Sequence, residues 1–102
     1  MTNNFTEAQQ YELYLVHALL GVISSNFRLV SLVVDEYQTI VIRIILEHES
    51  EDDLEEIEDF KTEFEALLPG PTPYEVNVEI SNEPIPWQDP SKIVCVFRRR
   101  EP

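Results

Sequence analysis

The chain has 102 residues, 43% of them hydrophobic, with five Phe, four Tyr and one Trp. That is enough for one core and too apolar for a disordered acidic tail. A formal net charge of -13 disfavours nucleic-acid backbone and anionic lipid as partners and favours a basic protein. The lone Cys95 cannot make an internal disulfide, and MTNNFTEAQQ lacks the basic start of a signal peptide. Apolar runs such as Ile44-Ile45-Leu46 are too short to span a bilayer. The expectation is a single domain over residues 1–102 in a reducing, cytoplasmic compartment.

Thr6 and Gln9 read as the cap and return residue of a first helix. Tyr11, Leu15, Leu19 and Val22 form one apolar row along it, with Val16, Leu20 and Ile23 beside them. So broad a stripe predicts a helix lying deep against a sheet, ended by Ser24-Ser25-Asn26. His17, in line with Leu13 and Leu20, reads as a packed or boundary histidine. Phe27–Asp35 is a strand with Val30, Leu32 and Val34 on one face, followed by a turn at Asp35–Gln38 that lacks Asn-Gly. In Thr39–Glu47, Ile40, Ile42, Ile44 and Leu46 alternate with the other residues, giving a strand with one fully apolar face.

Glu47 to Glu65 dominates the chain. It holds eleven carboxylates against Lys61 alone, a net charge of -10. Yet Leu54, Ile57, Phe60, Phe64, Leu67 and Leu68 recur at helical spacing. Ser50 reads as the cap of this second helix and Pro69-Gly70-Pro71 as its end. Tyr74, Val76, Val78 and Ile80 alternate with polar residues as a third strand, and Lys92–Arg99 is a fourth. Between them Asn82–Ser91, with three prolines, is a loop, and Arg98-Arg99-Arg100 is a basic tail. The fold class is therefore α+β, in the order helix-strand-strand-helix-strand-strand. The expected architecture is a four-stranded, mainly antiparallel sheet of two hairpins, bridged by the second helix, with both helices on one face. Leu29, Val33, Val41, Ile45, and Val94 or Ile93 would then face away from the helices. They would either stay exposed as a partner or dimer contact or be closed by the termini or the long loop.

Acids in the first turn of the second helix suit the positive end of its dipole. Those farther along do not benefit. Asp52, Glu55, Glu58, Asp59 and Glu63 fall opposite the apolar stripe, facing water. Like charges at Asp52–Glu56, Glu55–Asp59 and Asp59–Glu63 cost about 0.2–0.5 kcal/mol each. The face is either a solvated surface or a docking surface for a strongly basic protein, and docking is the reading carried forward. Trp87, held between Pro86 and Pro90, is either an interface anchor or a lid over the sheet edge; Tyr37 is a weaker candidate anchor.

Catalytic chemistry finds little support. His48 has no His or Cys partner at ligand spacing, and a solvated helix face cannot raise a carboxyl pKa for acid catalysis. With two glycines in all, a calcium loop or a phosphate-cradling loop is excluded. Cys95, mid-strand, reads as an inert packing thiol. No enzyme activity, metal or cofactor is implied.

In size, acidity and layout the chain resembles the immunity proteins of bacterial contact-dependent inhibition and related polymorphic toxin systems. The acidic helix Glu51–Glu65 between the strands Thr39–Glu47 and Tyr74–Ser81 carries the resemblance. It implies a binding protein that neutralises a basic cognate toxin domain, frequently a nuclease, by covering its active site with carboxylates. The layout is also similar to that of acidic, dimeric type III secretion chaperones, which would hold an effector on the open sheet face. A nucleic-acid mimic is a third alternative. The first implies a monomer and the second a homodimer.

Overall fold

The computed structural model describes residues 4–101. Its six elements are α1 (Asn4–Ala18), β1 (Phe27–Val34), β2 (Ile40–Leu46), α2 (Glu51–Leu67), β3 (Tyr74–Ile80) and β4 (Val94–Arg98). They form an α+β fold in the anticipated order. The four strands make one mixed sheet, β3-β2-β1-β4, and both helices contribute to one core against a single sheet face. That core is built by the alternation in β2, where Ile40, Ile42, Ile44 and Leu46 are all fully buried beside Val30 and Leu32 of β1.

β1 and β2 form the expected antiparallel hairpin. In place of Asn-Gly, the Asp35 carboxylate accepts hydrogen bonds from the backbone N–H of Tyr37 and of Thr39, each at 2.9 Å, and Gln38 takes φ +65°. An aspartate that bonds its own downstream backbone substitutes for the missing turn dipeptide.

The second expected hairpin does not form. β3 lies parallel to β2, from Ile40↔Tyr74 to Leu46↔Ile80, and β4 pairs antiparallel with β1 at the opposite edge. The reason is length. α2 has seventeen residues, about 25 Å of helix, which suffices to carry the chain back along the whole of β2. A strand that starts there and takes the free edge of β2 must run in the same direction. The Pro-rich segment 81–93 then crosses between edges. It leaves beside Leu46, whose carbonyl accepts from the Ser81 N–H at 2.9 Å, and turns at Asp89, whose carbonyl accepts from Lys92 and Ile93.

α2 begins as anticipated: the Ser50 hydroxyl accepts from the Asp53 N–H at 3.3 Å. The Asp53 side chain does not reach back to the cap. It is buried and accepts from Asn26 Nδ2 at 2.9 Å, while Asn26 also donates to the His48 carbonyl at 2.7 Å and accepts from the His48 N–H at 3.0 Å. One buried amide thereby fixes the β2–α2 connection. At the other end Leu68 is extended, as a residue before proline should be.

α1 departs from expectation at both ends. It is already under way at Asn4, so Thr6 lies within it, and it stops at Ala18 rather than at Ser24. Gly21 at φ +80° turns the chain, a conformation that a side chain resists. Leu15, Ala18, Leu19 and Val22 are buried, but Leu13, Val16, His17, Leu20 and Ile23 are exposed. The helix therefore rests on the sheet by one face only, and His17 is neither packed nor at a boundary.

The sheet face away from the helices is largely closed. Leu29 and Ile45 are buried and Val33 and Val41 half-buried, while Val94 turns to the core. Arg43, paired with Glu79, and Arg98, which donates to the Ile85 carbonyl at 3.1 Å, stand on that face and can lay their stems over it. Cys95, opposite Ser31, is exposed rather than packed.

The basic tail is a latch. A bulge inserts Arg28 as an extra residue in β1, which brings both Phe27 and Val30 onto the core. Arg28 is only 4% exposed. It donates to both oxygens of Glu101 (2.7 and 2.8 Å) and to the Ser81 carbonyl at 2.6 Å. Arg99 donates to Glu101, to Glu47 and to the Ser25 carbonyl. The start of β1, the exit from β3 and the end of β4 are thus tied together. The Arg28 hydrogen bond, aided by Arg99, holds the Glu101 carboxyl down at about 2 against an ordinary 4.5. A depressed pKa stabilises the fold fully above pH 4.5, and that contribution is lost as pH falls toward 2. Glu101→Gln should therefore lower the melting temperature at pH 7, with the gap to wild type narrowing between pH 4.5 and 2. Thermal melts of both proteins across that window check it.

Candidate protein-docking surface

α2 is held to the core by Ile57, Phe60, Phe64 and Leu68. Phe60 stacks on Phe64 with ring centroids 6.0 Å apart, and Phe64 meets Tyr74 of β3 edge-on at 5.6 Å. Burial of each such side chain contributes about 1.5–3 kcal/mol, against about 0.2–0.5 kcal/mol for each like-charge pair. Packing wins. The outer face can carry repulsive charge without detaching the helix.

That charge is all in place. Asp52, Glu55, Glu58, Asp59 and Glu63 are exposed, as are Glu51, Glu56 and Glu65; Asp53 alone of the helix's acids is buried. Among the described residues only Glu58 has a cation partner, Lys61 at 2.6 Å. The Tyr74 hydroxyl donates to the Lys61 carbonyl and to Glu65, both at 3.4 Å. Its pKa is raised first by burial and then by the Glu65 carboxylate. Glu58, Lys61 and Glu65 therefore mark the β3 side of α2. Asp52, Asp59 and Glu63 turn toward α1, which lies alongside. The result is an acidic ridge with almost no internal compensation.

The other two candidates are not both on it. Tyr37 is 78% exposed in the β1–β2 turn, at the end of the sheet where α2 finishes. Trp87 is 76% exposed, so it does not fold back as a lid. It sits on the segment between Ile85, which touches Arg98 of β4, and the turn that enters β4. That is the edge opposite β3, with α1 between it and α2.

A cleft of about 630 Å³ is lined by the latch residues Arg28, Arg98, Arg99 and Glu101 together with Glu47 and Arg100. Its carboxylates and the carbonyls of Ser25, Ser81 and Ile85 already accept from three of the four guanidiniums, so it is a structural joint. Among the described residues no three His, Cys, Asp or Glu side chains converge to hold a metal ion, and no helix is long and apolar enough to cross a membrane.

A family model described as MafI2 immunity protein matches residues 9–101, which takes in all four strands, all of α2 and both arms of the latch. The chain belongs to the MafI2 immunity protein family. Members confer immunity to a MafB polymorphic toxin, so this immunity protein neutralises a cognate MafB toxin and is not an enzyme. The resemblance drawn from acidity and layout is confirmed, and the chaperone alternative loses both its family and its open sheet face. No curated protein matches the chain.

Sequence reasoning missed the exposed apolar residues of α1 and of the turn after it, Leu13, Val16, Leu20 and Ile23, spaced 3, 4 and 3 in the chain. In the sequence that spacing is indistinguishable from added width of one buried stripe. For the acidic ridge, Glu55→Gln with Asp59→Asn should raise stability by roughly 0.5–1 kcal/mol, because several like-charge neighbours at i,i+3 and i,i+4 disappear. Urea denaturation at low salt measures it, and the gain should shrink at high salt.

Proposed function

We propose that the immunity protein blocks its MafB toxin by laying the exposed face of α2 over a basic, substrate-binding cleft of a toxin that acts on nucleic acid. Asp52, Glu55, Glu58, Asp59 and Glu63 supply the charge, and Tyr37 extends the contact at the end of the ridge. Trp87, at the opposite edge, is left for a second, separate contact. The observation that supports this is the ridge itself, eight exposed carboxylates on one helix with a single cation among them. Folding alone disfavours that arrangement. A phosphate-binding cleft on the partner is its natural complement. The same charge works against self-association, so one monomer acts on one toxin. The lone cysteine suits the reducing cytoplasm as the place of action.

The triple reversal Glu55→Lys, Asp59→Lys and Glu63→Lys tests the proposal, since all three side chains are exposed and the fold should survive. Association with the cognate toxin, followed by stopped flow, should slow by at least about tenfold at low salt and lose most of its salt dependence. An unchanged rate with an unchanged salt response would reduce the ridge to a solubility device.

A further inference from the structure

We infer that the toxin contact has an apolar centre on α1 and the turn after it, formed by Leu13, Val16 and Leu20, with the acidic face of α2 as its rim. This deepens the proposed function and rests on its placing of the toxin at α2. Leu13 is 63% exposed and Leu20 72%. Scattered apolar residues on a surface need no explanation, but Leu13 and Val16 in line on the outside of α1, with Leu20 exposed in the turn just after it, do. The line is also separate from the one that holds α1 down. Leu13 lies about 160° around the helix from the buried Leu15, and the core is complete without it. Keeping large side chains there adds nothing to the packing.

The occupant follows from the neighbours. Four partly exposed side chains fall well short of the roughly 800 Å² that each partner contributes to a standard interface. Any stable contact centred on them must spread onto adjacent surface. α1 and α2 lie side by side in one layer, so an outward contact spreads onto the carboxylates of α2. A second copy of the chain, itself at -13, would bring like ridges together around the stripe. A basic protein with an apolar patch at the middle of its positive surface meets both features at once. Apolar centre and polar rim is the ordinary anatomy of a protein interface, and the shielded centre carries most of the affinity.

The two parts separate kinetically, because rim charge governs association and a desolvated centre governs dissociation. The double variant Leu13→Ala, Leu20→Ala should leave the circular dichroism and melting temperature of the free protein near wild type, as both side chains are exposed. Surface plasmon resonance against the purified cognate MafB toxin should show dissociation faster by about thirtyfold, with the association rate and its salt dependence nearly unchanged. A wild-type dissociation rate would overturn the apolar centre while leaving the charge-based contact standing. Loss of salt dependence belongs to the α2 reversal alone, so failure of that reading registers separately. Sedimentation of the free protein at micromolar concentration completes the test. A monomer is the expected result, whereas a wild-type dimer dissolved by the double variant would assign the stripe to a second copy and overturn the inference.

Discussion

The contact between the apolar face of α2 and the isoleucine face of β2 is the constraint on which everything else turns. Ile57, Phe60 and Phe64 pack into the same core as Ile40, Ile42, Ile44 and Leu46, and Asn26 with Ser50 fixes the angle at which the helix leaves the strand. This anchorage decides the topology, since a helix of that length returns the chain to the head of β2 and sets β3 parallel to it. It also decides the electrostatics. A helix secured by several kilocalories per mole of burial tolerates an outer face that intrinsic helix stability disfavours.

The positive charges are placed with equal economy. Arg28, Arg43 and Arg99 are all engaged with carboxylates at the sheet, and Arg98 with the Ile85 carbonyl. Lys61 alone stands on α2. The chain has enough arginine to neutralise part of the ridge, yet those side chains are engaged at strand ends and on the sheet instead. The separation leaves a negative, helical side beside the exposed leucines and a self-neutralised joint at the end of the sheet. Steering by such a side raises encounter rates with a basic partner and falls off as salt rises.

Much of this was legible before any coordinates, for physical reasons. A strict period of two in β2 and a helical period in α2 determine which side chains are buried. Ser50 and the Leu68-Pro69 step bound α2 by local stereochemistry alone. The carboxylates opposite the stripe could be placed on the outer face by angle. Strand neighbours could not be read, because alternation tells which face a residue takes and nothing of the strand beside it. That is why the sequence of β3 and β4 suggests a hairpin, whereas they lie at opposite edges of the sheet. The bulge at Arg28 escaped for a related reason: it breaks the period that reveals a strand, and its partner Glu101 lies seventy-three residues away. On α1 the difficulty was opposite. Apolar residues on a short helix and the turn after it look like a single broad stripe until the sheet shows which of them it covers.

The most direct test of the account is a crystal structure of the immunity protein bound to its MafB toxin. It should place Asp52, Glu55, Asp59 and Glu63 within ion-pairing distance of toxin lysines or arginines, with Leu13 and Leu20 buried beside them. A complex in which those carboxylates point into solvent, with the toxin seated on Trp87 or on the arginine-lined joint instead, would contradict it.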